Sequence, residues 1–403
     1  MRERDVQEQA VVETGSASTA RYLAIVFATG IVASLAQAAT PLVVDGLVKY
    51  ARFSLADAGL CASIETFGQC AGTAAALLLI KRYSPRPLLI VGLILTMLGN
   101  LLSARIVGFG EFAAARLVAG SGCGLLIIFS VLIARTARPQ RNFAIFTGLL
   151  VVSSAGLSVA MPWLLAKGGV SAAYLTIAAL AAGCLINVAT IPGDGSAEAR
   201  AASWLSSASP VATSWRRIVH TISRNPHATL VCTMVAIYSV SWSAIWTYLG
   251  AFGPSHAMSD NDVAVAISVA WLVGGTLGAA MCAWTEGRVN LRHSLIAQLS
   301  AVAAFVIFVG CTKSPTAFWL SAGMFVFLTN MCYASFMSLL AEIDPSGQLV
   351  TAGSLIQLIA FVAGPAIGAV LVRSGSFTGL LIFVVVGLLL AAACLVRRRP
   401  PRI

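Results

Sequence analysis

Residues 59–72 read GLCASIETFGQCAG, small and apolar residues around a single carboxylate, Glu65. A second stretch, RLVAGSGCG at 116–124, opens on Arg116. A carboxylic acid in an apolar segment can hold or release a proton as its surroundings change, and a nearby guanidinium favours its charged form. Glu65 is therefore a candidate proton-coupling group, with Arg116 as its partner or as an anchor for a substrate. The competing reading is a fixed polar contact that only holds helices together.

Other residues suit solute binding. IYSVSWSAIWTYLG places Tyr238, Trp242 and Trp246 four apart, aromatic groups with polar tips that fit a partly apolar organic molecule. Gln37, Asn330, Tyr333 and Gln357 are further polar groups in apolar surroundings, each a ligand contact or a hydrogen bond to a neighbouring helix. Asp45 suits a gate or a solvated helix end.

Hydrolytic and metal chemistry find little support. The nine cysteines show no metal-ligand spacing, and the four histidines fall in predicted loops or helix ends. Gly120-Ser121-Gly122-Cys123-Gly124 follows no strand and lacks the Lys-Ser/Thr of a phosphate loop. No nucleophile with a base is apparent, so the chain is not expected to be an enzyme, and no cofactor or metal is implied.

The elements that carry these residues follow from composition. Of 403 residues 58% are hydrophobic and 10% charged, with mean hydropathy +0.89, whereas soluble chains are about a quarter charged. A spanning helix needs about 20 apolar residues. Twelve such segments are predicted at 22–46, 56–80, 87–104, 110–134, 142–166, 171–191, 228–252, 262–284, 292–311, 316–341, 349–372 and 377–396. Runs such as LLIVGLILTMLGNLL lack the alternation of a barrel strand, so the fold is all-α and integral to a membrane. By this placement Glu65 lies ~14 Å and Arg116 ~9 Å below the outer surface.

Charge sets the expected orientation. With a cytoplasmic N-terminus only Lys49, Arg52, Arg105, Lys167, Lys313 and Arg373 lie outside and Arg116 within a helix, while every other basic residue lies inside. The positive-inside rule then places both termini in the cytoplasm, with the chain in a cell (inner or plasma) membrane. Net charge +11 is largely this topology signal and does not point to nucleic acid. Ala36-Gln37-Ala38 could pass for a cleavage site, but the first helix is expected to stay.

The expected organisation is a cytoplasmic tail at 1–20, a six-helix bundle at 21–191, a cytoplasmic linker at 192–226, a second bundle at 227–396 and a basic tail at 397–403. The halves read as distant copies. Gly72, Arg82 and Arg86 recur in spacing as Gly278, Arg288 and Arg292, and each fifth helix carries a late proline, Pro162 or Pro365. Small-residue pairs Gly68 with Gly72, Gly120 with Gly124, Gly274 with Gly278 and Gly364 with Gly368 mark faces where helices approach closely.

Three stretches resemble the major facilitator superfamily. KRYSPRPLLIVGL at 81–93 is similar to its loop between helices 2 and 3, with Arg82 and Arg86 in place, Lys81 where an aspartate is usual and Leu77 where a glycine is usual. RLVAGSGCG matches the helix 4 motif through Arg116, Gly120 and Gly122, and AGLSVAMPWLLAKGG keeps Pro162 of a helix 5 motif. The resemblance implies two pseudo-symmetric six-helix bundles rocking about a central site, with helices 1, 4, 7 and 10 lining it. The expected activity is secondary active transport of a small organic solute, amphipathic or weakly anionic, by alternating access, with protons as coupling ion. The bilayer is then the remaining partner, and the chain is expected to act as a monomer. An uncoupled facilitator, or a membrane sensor or lipid-binding protein on the same fold, are the alternatives.

Overall fold

The computed structural model describes residues 2–80, 82–105, 108–134, 136, 139–189, 222–285, 287–344 and 348–397, with side chains described from Arg21 onward except at 134, 139, 140, 189, 348 and 397. The expected linker and the basic C-terminal tail lie almost wholly outside the described residues, as does Lys81.

Every described element is helical. Helix α1 (Arg2–Ala51) leads into α2 (Leu55–Leu79), α3 (Pro85–Ser103), α4 (Phe109–Leu125), a short α5 (Ile128–Ala134) and α6 (Pro139–Ala189). The second half holds α7 (Pro226–Tyr248) with a 3-10 extension (Leu249–His256), then α8 (Asp260–Val269), a π-helical turn (Ala270–Gly275) and α9 (Thr276–Thr285). It ends with α10 (Leu291–Cys311), α11 (Pro315–Ile343), α12 (Gln348–Leu371) and α13 (Thr378–Arg397).

Among the described residues ten helical stretches are long and apolar enough to cross a membrane. One of them, Arg141–Val188, is two helices joined where Gly168 and Gly169 leave helical geometry, Gly169 at φ 59°. Helix α2 falls short of the same apolarity because it carries Asp57, Glu65 and Gln69. With α2 and the divided α6 the passes number twelve, as the sequence predicts. Predicted segment 110–134 is α4 and α5 with a break at residues 126–127, and segment 262–284 contains the π turn. Side-chain caps fix several starts: Ser54 for α2, Asn225 for α7, Ser259 with Asp262 for α8, Asn290 for α10 and Ser314 for α11.

Large apolar side chains such as Trp163, Ile186 and Ile359 lie exposed on helix exteriors, as lipid contact requires. Inside, glycines set the spacing. Gly68 and Gly72 of α2 lie against the backbone of α4 at Leu117 and Ser121, and Gly120 and Gly124 lie against the carbonyls of Glu65 and Gln69. In the second half Gly274 and Gly278 lie against the carbonyls of Gly323 and Phe327 on α11. The second and fourth passes of each half thus pack alike. The fifth and first do so too: Leu165 of α6 covers Gly46, while Gly364 and Gly368 of α12 seat Val240, Ser243 and Tyr248 of α7.

The two halves meet along α2 with α12 and α6 with α8. Ser63 Oγ donates to the Val362 carbonyl at 2.6 Å, Cys70 Sγ to Leu358 at 3.6 Å and Ser268 Oγ to Ala155 at 3.2 Å. Nearer the end that carries Lys49, Trp246 Nε1 donates to the Gln37 carbonyl at 3.3 Å, and Gly250 lies against the Pro41 carbonyl. At that end Lys49 Nζ pairs with Asp45 at 2.7 Å and, across the seam, with Asp260 at 2.5 Å.

Candidate functional site

Glu65 and Arg116 form an ion pair between α2 and α4. Arg116 Nε donates to Glu65 Oε2 at 3.2 Å, and Nη2 donates to Oε1. The glycine contacts make this pairing possible. Helices with ordinary side chains at the crossing lie about 8–10 Å apart, whereas Gly120 brings the α4 backbone onto the Glu65 carbonyl itself.

The guanidinium has further partners that its position alone does not reveal. Nη1 donates to Asn100 Oδ1 at 3.1 Å and to Ser103 Oγ at 3.2 Å, both from α3. Those groups are fixed in turn, since Asn100 donates to the Thr96 carbonyl and Ser103 to the Gly99 carbonyl, each at 2.7 Å. The Tyr174 ring covers one face of the cation, its centroid 4.6 Å from Cζ, with Phe112 packed against that ring. Arg116 is 1% exposed and the Glu65 side chain 20%. A buried guanidinium is tolerated because its donors are paired and a carboxylate balances its charge.

This arrangement bears on the substrate role considered for Arg116. The cation's donors are taken up by these partners, and Arg116 itself borders a small cavity. A cavity of about 20 Å³ does adjoin the pair, lined by Thr40, Val44, Cys61, Glu65, Tyr174 and Ile177 among others. That is room for about one water. The pair and its cavity lie within the first bundle, between α1, α2, α4 and α6.

The aromatic residues gather at the seam instead. Trp242 stacks on Trp246 (5.9 Å between centroids) and on Phe361 of α12 (4.8 Å), and Trp271 from the π turn meets Trp246 edge-on at 5.4 Å. Of Gln37 it is the backbone carbonyl that meets this group, accepting from Trp246 Nε1. Tyr238 does not share it. It is buried in the second bundle, its hydroxyl donating to the Thr329 carbonyl at 2.6 Å and its ring against Phe336. Asn330 sits beside Gly275 and Gly278 and donates to the Val326 carbonyl at 2.8 Å. Tyr333 is 37% exposed one turn further along α11, and Gln357 stands one turn before Phe361 on α12.

Arg82 lies exposed on the turn between α2 and α3, and Arg86 in the first turn of α3. In the second half Arg288 donates to the Trp284 carbonyl at 2.8 Å, and Arg292 donates to Leu395 and Val396 at the end of α13. Asn100, Ser103, Tyr174, Trp271, Phe361 and the Lys49–Asp260 pair are the contributors that sequence reasoning missed. Lys49 and Asp45 are four apart, a helical pairing spacing that was legible. The rest had no local signal. Among the described residues no cluster of His, Cys, Asp and Glu could hold a metal.

The model of the Major Facilitator Superfamily matches residues 23–362, and the chain belongs to that family. The fold is similar to a D-xylose-proton symporter at TM-score 0.69 and 14% identity, covering 94% of this chain and 98% of that one. It is also similar to a point mutant of the nucleoside transporter NupG at TM-score 0.76 and 11% identity, covering 93% and 98%. An inward-open form of the xylose transporter XylE from E. coli matches at 0.69 and 13%, covering 94% and 96%. No curated protein sequence matches the chain. The chain is a multi-pass membrane transporter and not an enzyme.

Proposed function

We propose that the chain is a secondary active transporter that moves a small organic solute by alternating access, with Glu65 as the proton-exchanging group and Arg116 as its fixed counter-charge. The observation that carries this reading is the buried pair itself: a carboxylate with 20% of its side chain exposed against a cation with 1%. Proton exchange needs such asymmetry. One partner must be reachable by water and the other must stay charged.

The chemistry follows from the contacts. While Glu65 is ionised it binds α2 to α4 through two charge-assisted hydrogen bonds. A proton on Glu65 removes that attraction, yet Arg116 stays held by Asn100, Ser103 and the Tyr174 face. The guanidinium is then a buried cation among neutral groups, a cost that a change of shape in the first bundle would relieve. The adjoining one-water cavity offers the proton a place of entry.

Both termini are assigned to the cytoplasmic side of the cell membrane, on the positive-inside distribution. The Lys49–Asp260 pair then bridges the two bundles at the outer face. A monomer, the small-molecule substrate and the bilayer complete the partners proposed.

One observation favours a second reading. Arg116 is so fully coordinated that the pair could be a permanent contact in an uncoupled facilitator. Proteoliposomes with an imposed pH gradient separate the two: proton coupling predicts uphill accumulation by wild type and mere equilibration by Glu65→Gln. Equilibration by both proteins supports the facilitator.

A further inference from the structure

Three observations meet at the seam between the bundles. Trp242, Trp246, Trp271 and Phe361 bring four ring systems together from α7, the π turn and α12. Trp271 Nε1 is buried and has no hydrogen-bond acceptor among the described residues. An indole N–H without a partner carries a desolvation cost, and native structures retain such groups where something else supplies the acceptor. The π turn that carries it is also an uncommon geometry, found mostly at functional sites. Gly275, in the same turn, lies beside Trp271 and Asn330, and a Cβ there would meet each at 3.9 Å without a clash.

Charge is a further consideration. Asn330, which shares the neighbourhood of Gly275 with Trp271, is uncharged, and no cation–ring contact involves these four rings among the described residues. Cation–ring contacts occur elsewhere, at Arg116 over Tyr174 and Arg288 over Trp284. The ions that pair between helices are already matched: buried Arg116 by Glu65, and the partly exposed Lys49 by Asp45 and Asp260. A charged solute entering this place would lose its hydration with no counter-ion to meet it.

We propose that this aromatic group is the solute site and that it takes an uncharged molecule with a flat ring face and a hydrogen-bond acceptor, the acceptor meeting Trp271 Nε1. This rests on the transporter reading only for its place at the moving seam; binding is measured directly and needs no flux. It departs from the weakly anionic solute that Glu65 and Arg116 suggest in the sequence, because those two residues neutralise one another within the first bundle.

A matched series tests it. Benzamide, benzoate and benzamidinium share one shape and differ in charge. Each is titrated at millimolar concentrations against the full chain in detergent, following tryptophan fluorescence and saturation-transfer NMR. Benzamide should bind best. Trp271→Phe keeps the ring contact with Trp246 and removes only the N–H, so it should weaken benzamide about three- to tenfold, the worth of one hydrogen bond. Trp242→Ala should abolish binding, while thermal unfolding of each variant checks that it remains folded. Equal binding of all three compounds, preference for either ion, no binding of benzamide, or an unchanged affinity in Trp271→Phe would each overturn the proposal. Saturable benzamide binding without any flux in proteoliposomes would leave the site standing and remove the transporter reading, whereas coupled flux of an ion would do the reverse.

Discussion

At the scale of single residues the unusual feature is a cation more deeply buried than its counter-ion. Removing one partner of a buried pair costs about 3–5 kcal/mol, because the other is left as an uncompensated charge. Glu65→Ala is therefore expected to destabilise the protein by that order, and Glu65→Gln by less, since the amide oxygen still accepts from Arg116. Arg116→Leu combined with Glu65→Leu should recover much of the loss. Chemical unfolding of the purified variants in detergent measures this, and an Ala variant as stable as wild type would contradict the pairing. Glu65 and Arg116 were legible in the sequence because charge is rare in apolar segments. Asn100, Ser103 and Tyr174 were not, since polar residues in a spanning helix can equally satisfy themselves on the preceding turn, as Thr96 does with Gly92. Only the fold shows that α3 and α6 aim them at one guanidinium.

At the scale of elements, glycine contacts decide what the helices can do. A Cβ at Gly120 would meet the Glu65 carbonyl, and one at Gly124 the Gln69 carbonyl. Gly120→Val must push α2 and α4 apart, costing about 1–3 kcal/mol or more by overpacking and pulling Glu65 from Arg116. Gly148, also in a helix, has open space around it, so Gly148→Ala is expected to be neutral or slightly stabilising. The pair of variants separates close packing from glycine's general helix weakness; equal destabilisation would contradict the contact. Helix number and the glycine pairs could be read from hydropathy and spacing. The divided α6, the break after α4 and the π turn could not, because each depends on backbone geometry that neighbours impose. Trp271 takes its position from that π turn, so its role was hidden with it.

At the scale of the whole molecule, two similar halves touch along one seam and are joined by charge at one end. Lys49 reaches Asp260 across that seam while also holding Asp45. If this is a closed gate, Lys49→Ala and Asp260→Asn should each speed modification of a cysteine introduced at Gln37 (Q37C) by an impermeant maleimide applied from the Lys49 face. The double variant should add little beyond either alone, as expected for two ends of one contact. Unchanged rates, or additive effects, would show that other contacts close this face. The duplication was visible in sequence as repeated glycine and arginine spacings, but a contact between residues so far apart in the chain was not.

The central claim is that Glu65 carries the proton linked to solute binding. The most direct measurement is ligand-induced thermal stabilisation of wild type and Glu65→Gln across a metabolite and drug library, each at pH 6 and at pH 8. Ligand that binds the native state raises its stability with concentration over dissociation constant, so a proton linked to binding makes that rise depend on pH. Wild-type hits whose size changes between the two pH values, and Glu65→Gln hits that do not change, are the predicted result. The same hits with the same pH response in both proteins would make Glu65 a structural contact and contradict the account.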